Sequence, residues 1–135
     1  VCDVVEQRDL PALYANSDLG LFPNRCEGGT NLVLMEYMAC GRPVIASHAT
    51  GHRDIVHAGN ALLLESLPEQ PVKDGTGRVV AHWPEPDLDE LIARIEHAYH
   101  HREALAPLAE EGVRTLQPLS WERTAREALR LIGEV

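Results

Sequence analysis

Residues 24–47 read NRCEGGTNLVLMEYMACGRPVIAS, and their punctuation decides the fold. Asn24–Gly29 has the composition of a loop. Thr30–Cys40 has the length of a three-turn helix, with Thr30 as a cap and Gly41 where a left-handed closing residue belongs. Pro43–Ser47 is short and apolar, as a buried strand is. Working outward, Asp18–Pro23 (DLGLFP) reads as a second buried strand and Ala61–Leu64 as a third. Strands and helices alternating this closely imply crossover units and a parallel sheet. The expected fold class is therefore α/β: part of a Rossmann-like domain, a parallel sheet with flanking helices and a helical carboxy-terminal tail.

The remaining segments fit that frame. Val1–Val5 reads as the end of a strand, so the chain is expected to be a piece of something longer. Asp9 can cap a short helix over Leu10–Asn16, with Pro11 tolerated in its first turn. A short helix is expected over Gly51–His57. From Glu65 to Pro86 the periodicity disappears under four prolines and two glycines, which reads as loop with at most a short strand at Arg78–His82. Three helical patterns follow, over Leu88–His100, Arg102–Leu116 and Trp121–Ile132. Pro107 must lie near a helix start, and Ser120 is a good cap for the last helix.

Composition narrows the function. A chain of 135 residues is one domain's worth, and 44% hydrophobic content predicts a packed core. A net charge of -9 repels phosphate backbones, so nucleic-acid binding is not expected, although one phosphorylated small molecule could still bind a local patch of backbone donors. Cys2, Cys26 and Cys40 make a poor disulfide framework and point to a reducing, cytoplasmic setting. No stretch has the length and hydropathy of a membrane span.

Within residues 30–40, apolar residues fall on nearly every helical face, which predicts burial on more than one side. Glu36 is the one charge there. A carboxylate in such a place needs donors. A ribose diol would serve, and so would an ion pair with Arg42 or Arg25. Gly28 and Gly29 let a ligand approach the backbone, and the Thr30–Leu32 amides lie where a helix start favours an anion such as a diphosphate. An ordinary strand-to-helix turn would use the same glycines for geometry alone.

This stretch resembles the donor-binding motif of the retaining glycosyltransferases of family 4, which have two Rossmann-like domains in the GT-B arrangement. The family pattern is a Glu, seven residues, a second Glu, then Ala-Met-Ala-x-Gly-x-Pro-Val-Ile. Glu36–Ile45 (EYMACGRPVI) matches its second half, and the resemblance extends through DLPALYANSDLGLFP and LSWERTAREAL. It implies that Glu36 holds the nucleotide ribose and that Glu27, Gly28 and Gly29 face the transferred sugar, Glu27 as the catalytic-site carboxylate. Thr30, Asn31, Leu32 and Val33 would lie near the diphosphate. The chain departs from the pattern in one respect: eight residues separate Glu27 from Glu36, and Gly28 holds the strict position. The resemblance further implies that residues 1–135 form one carboxy-terminal domain fragment, inactive alone. An amino-terminal acceptor domain would complete the cleft, a nucleotide-diphosphate sugar would be the substrate, and no metal or other cofactor would be needed. A nucleotide-sugar epimerase, or an inactive domain that forms homodimers through an exposed apolar face, would have the same fold.

Other features have simpler readings. His48 and His52, like His97 and His101, are four apart, and each pair is expected on a solvated surface rather than at a metal. Cys26 and Cys40 are expected to be inert, Trp83 to pack, and Trp121 to anchor the last helix. The acidic run at Pro84–Glu90 suits a solvated helix start.

Overall fold

The computed structural model describes residues 5–133. The strand end expected over Val1–Val5 thus lies outside the described residues, except for Val5. Three strands, β1 (Gly20–Phe22), β2 (Val44–Ser47) and β3 (Leu62–Leu64), pair in parallel in the order β1-β2-β3. Leu21 lies opposite Ile45, and Ala46 opposite Leu63. All four residues of β2 are buried, as a central strand covered on both faces requires. On one face, Val44 and Ala46 meet Leu34, Tyr37 and Met38 of helix α2 (Leu32–Ala39) in a core shared with Ile55, Val56, Leu63 and Leu116. Helix α3 (Leu88–His100) packs on β2 and β3, and α4 (Ala106–Leu116) on α2. Gly112 makes the last contact close: a Cβ there would lie 3.4 Å from Met38 Cε.

Helix α1 (Leu10–Ala15) forms where expected, but Asp9 does not cap it. A 3-10 turn over Gln7–Asp9 runs into the helix, which puts Asp9 in the helical region with no side-chain bond to the amides beyond. Thr30 is likewise not the cap of α2. Asn31 is extended, at ψ 104°, and its side chain accepts from the Leu34 amide at 3.1 Å. At the other end Gly41 takes φ +68°, the left-handed geometry read for it. The expectation that α2 is buried all round fails: Leu34, Tyr37 and Met38 are buried, while Leu32, Val33, Glu36 and Ala39 are exposed along one side.

Residues 65–86 are not mostly loop. They hold an antiparallel hairpin of β4 (Glu69–Lys73) and β5 (Val79–Pro84). Pro71 hid β4 from the sequence pattern, but a proline is tolerated in an edge strand. The turn is fixed by Asp74, which accepts from the Thr76 and Arg78 amides, and by Gly77 at φ +85°. The hairpin rejoins the domain at α3, whose cap Asp87 accepts from the Glu90 amide at 2.8 Å. Glu90 in turn accepts from the Glu65 and Ser66 amides at the exit of β3.

A 3-10 turn at Arg102–Leu105 precedes α4, so Pro107 falls in the first turn of the α-helix, where its missing N–H costs nothing. Helix α5 (Trp121–Gly133) starts at Ser120, whose hydroxyl accepts from the Arg123 amide. Trp121 does not anchor it. That side chain is 89% exposed, and no residue of α5 is buried. Trp121, Ala125, Leu129 and Ile132 fall on one side of the helix by their spacing, an amphipathic stripe that this core leaves exposed. Among the described residues, no helix is long and apolar enough to cross a membrane.

Candidate functional site

Ligands of open parallel sheets bind beyond the carboxyl ends of the strands. Here two loops meet there. One follows β1 and runs through Asn24–Asn31. The other follows β2 and includes a 3-10 turn over Thr50–Asp54. The parallel register of β1 on β2 delivers both loops to the same edge.

Their contact is backbone on backbone. A Cβ on Gly51 would fall 1.6 Å from the Gly29 carbonyl oxygen, so only a glycine lets the second loop come this close. Beside it, Thr50 sits at φ +46°, a conformation costly for a β-branched residue, and its hydroxyl accepts from the Glu27 amide at 3.0 Å. The functional carboxylate read from the sequence is therefore held at its backbone by the neighbouring loop.

The Glu27 side chain is held too. Its Oε1 accepts from Asn24 Nδ2 at 2.6 Å and from Asn31 Nδ2 at 3.1 Å. Asn31 Nδ2 also lies 3.3 Å from His52 Nε2, and His52 Nδ1 lies 3.1 Å from the Ser47 carbonyl oxygen. His52 is 1% exposed, so the solvated surface expected for it is wrong. The turn that carries it brings the ring back to the Ser47 carbonyl at the end of β2, where it is buried. Burial pulls its pKa below the ordinary 6.5, against the opposing pull of the Ser47 carbonyl and the Glu27 charge. Sequence spacing paired His52 with His48, four residues away. The usable signal was instead Gly51-His52 just past a buried strand, beside a loop that also carries glycines.

Glu36 lies one face away. It is exposed rather than buried, and neither arginine pairs with it. Arg25 meets Glu85 at 2.6 Å, and Arg42 donates to the Ala15 carbonyl. The Glu36 partner is the Tyr14 hydroxyl, which donates to Oε2 at 3.0 Å. Burial first, and then this bond and the charge of Glu36, push the Tyr14 pKa up. Tyr14, Glu36, Pro11, Ala39 and Cys40 line a cavity of about 310 Å³ between α1 and α2. A larger cavity, about 420 Å³, lies at the opposite end of the strands beside Asp18, Pro43, Tyr99 and Arg102, remote from both loops.

The other predicted positions fall between the two glutamates. Gly28 and Gly29 are exposed and Thr30 is half-buried. Asn31 takes up the Leu34 amide with its side chain and the Met35 amide with its carbonyl, which leaves the amides of Leu32 and Val33 as the orphan donors of the helix start. The additional residue between Glu27 and Glu36 is absorbed before the helix, because α2 begins only at Leu32. Of the other singled-out groups, Cys26 is exposed and Cys40 half-buried, and both are free thiols. His97 and His101 stack on the surface with centroids 4.4 Å apart. Trp83 is 38% exposed and packs under the Arg25 guanidinium, 5.7 Å from the ring centroid. The β4–β5 hairpin is thereby tied to the loop that carries Glu27.

The sheet order, the two loops at its carboxyl edge and the capped helix behind them define a Rossmann-like domain, as in one half of a GT-B fold. Residues 1–101 match the family described as "Glycosyl transferases group 1", and the chain belongs to that family. No curated protein sequence gives a significant match. Among solved structures, HepE of Anabaena in complex with UDP is 21% identical with a TM-score of 0.70, over 96% of this chain and 31% of its own. Sucrose-phosphate synthase of Thermosynechococcus elongatus is 23% identical with a TM-score of 0.73, over 98% of this chain and 29% of its own. The C-terminal domain of the group 1 family protein LpcC of Francisella tularensis is 20% identical with a TM-score of 0.60, over 87% and 50%. The chain thus spans about a third of the length of the first two.

Proposed function

We propose that residues 1–135 form the donor-binding, carboxy-terminal part of a two-domain glycosyltransferase of family 4, which moves a sugar from a nucleoside-diphosphate sugar to an acceptor with retention. The observation that carries the reading is the placement of Glu27, Glu36 and the start of α2 on one run of chain beyond β1, with Glu27 bound at Oε1. Glu36 accepts Tyr14 at Oε2 and lines the α1–α2 cavity, which suits it to a ribose diol. The Leu32 and Val33 amides, with Gly28, Gly29 and Thr30 before them, would receive the diphosphate, whose developing charge on departure the helix start stabilises. Glu27 would face the transferred sugar. HepE has been crystallised with UDP-glucose, which makes a uridine donor the first to try.

The acceptor wall would come from a separate domain, so this segment alone would bind donor without turning it over. The test is titration with UDP, GDP and ADP and their sugar conjugates, followed by amide NMR and repeated on the full protein. Shifts at Gly28–Val33 and Glu36 are expected with one base. In the full protein, Glu36→Ala should lower donor kcat/KM by roughly 10²-fold, the order of effect of losing a charged contact. Unchanged donor kinetics in that variant would remove Glu36 from the site. A product that keeps its nucleotide but has an inverted sugar carbon would instead identify an epimerase.

A further inference from the structure

The site contains a connected set of polar side chains that the donor reading does not use. The Ser47 carbonyl can only accept, so His52 Nδ1 carries the proton and donates at 3.1 Å. His52 Nε2 then presents a lone pair. Asn31 Oδ1 is committed to the Leu34 amide, so both hydrogens of its Nδ2 are donated, one to His52 Nε2 at 3.3 Å and one to Glu27 Oε1 at 3.1 Å. The direction of every bond is forced, from the β2 carbonyl through His52 and Asn31 to the carboxylate. The anchor is the least mobile kind of group available: Ser47 is fully buried in the central strand, and His52 is 1% exposed.

We propose that His52 is a positioning residue: by fixing the amide of Asn31 it fixes the direction of the Glu27 carboxylate, and so the way Glu27 meets the transferred sugar. The inference rests on the reading of Glu27 as the sugar-facing carboxylate. The orientation has a purpose at the atom. Both side-chain donors fall on Oε1, and among the described residues none reaches Oε2, which is left to a sugar hydroxyl. Without a lone pair at His52 Nε2, the Asn31 amide loses one of the three contacts that set its direction and is held only by the Leu34 amide on Oδ1 and by Glu27 on Nδ2. A flipped Asn31 would aim an oxygen at the Glu27 carboxylate and withdraw the helix cap. The neutral ring demanded by this scheme agrees with the depressed pKa of His52.

The decisive comparison is between a nucleotide and its sugar conjugate. In the full protein, His52→Phe keeps a ring in the cavity and removes both nitrogens. UDP-glucose should bind roughly tenfold more weakly, the order expected for losing one aligned bond to a carboxylate, while UDP affinity stays within about twofold. Asn31→Ser, which keeps a cap oxygen for Leu34, should lose the same sugar-dependent increment on top of whatever loss UDP and UDP-glucose share, with little change in melting temperature. Independently of any ligand, imidazole ¹⁵N shifts of the wild type should report the Nδ1–H tautomer at His52. Glu27→Gln should lower the pKa of that ring. Equal loss of UDP and UDP-glucose affinity in His52→Phe and Asn31→Ser would overturn the proposal in favour of plain loop collapse. An Nε2–H tautomer would overturn the relay itself. A wild type that shows the Nδ1–H tautomer yet binds no UDP, GDP or ADP sugar would overturn the donor reading and the role drawn from it, and the two failures are thereby separable.

Discussion

Gly51→Ala isolates what the contact between the two loops contributes. The added Cβ would be 1.6 Å from the Gly29 oxygen, 2.5 Å from the Gly29 carbonyl carbon and 3.3 Å from the Thr30 amide nitrogen. All three are backbone atoms, so no rotamer change relieves the clash. The loops must part by about 2 Å to restore ordinary contact distances near 3.5 Å. Gly51 is outside the left-handed region, so alanine carries no conformational cost of its own there. The penalty is overpacking, about 1–3 kcal/mol, which lowers the melting temperature by several degrees. The functional loss should be larger. A displacement of this size at a substrate-positioning loop costs on the order of 10²-fold in rate. Gly41→Ala is the matched control. It sits at φ +68° with its nearest neighbour, Val113 Cγ2, at 3.7 Å, so it should cost about 1 kcal/mol through the backbone and leave donor binding unchanged. Thermal unfolding and UDP-glucose titration on both variants read the two effects. A Gly51→Ala protein with wild-type melting and wild-type titration would refute the close approach on which the site's geometry rests.

Other expectations follow from separate features. The His52 pKa is below 6.5 in the folded chain, so as pH falls through 6.5 the unfolded state takes up a proton that the folded state refuses. Stability should therefore be complete above that pH and decline below it until the folded ring itself titrates, and His52→Phe should remove that part of the slope in urea unfolding at stepped pH. Asn31→Ala removes the cap of α2 and should cost about 1 kcal/mol, which chemical denaturation can resolve; no loss would mean that another group caps the helix. Replacing residues 69–84 with a short turn should leave the melting temperature nearly unchanged, because only Val72, Ala81 and Pro84 of the two strands are even half-buried. A large loss of stability would show that the hairpin supports the core.

What the sequence disclosed and what it withheld divide along the range of the interactions. Strand runs such as Val44–Ser47 and helix limits such as Leu88–His100 are set by neighbouring residues, and they lie within a residue or two of where the pattern puts them. The closing role of Gly41 is local in the same way. Burial of α2 on all sides does not follow from its sequence, because apolarity on all sides says that a helix can be covered, not that this chain covers it. Leu32 and Val33 are apolar and exposed. Strand β4 is hidden in the sequence because Pro71 is a strong local signal against a strand, and only pairing with β5 overrides it. The site shows the same division. Glu27, Glu36 and the glycines between them announce themselves within ten residues, whereas His52 becomes visible only when parallel pairing lays its turn against Asn31. No periodicity within one segment records a meeting between two.

The interlock of Gly51 on Gly29 also sets a rule for redesign. Under the proposed donor reading, residues 24–31 are the natural stretch to exchange when altering which sugar is accepted, and they look self-contained in the sequence. Their backbone, however, is shaped against Thr50, Gly51 and His52, which supply a hydroxyl, a missing side chain and a ring nitrogen to three different atoms of that stretch. A graft of the first loop alone would bring in a part cut for another socket. The exchangeable unit is the two loops together, seated on the adjoining ends of β1 and β2.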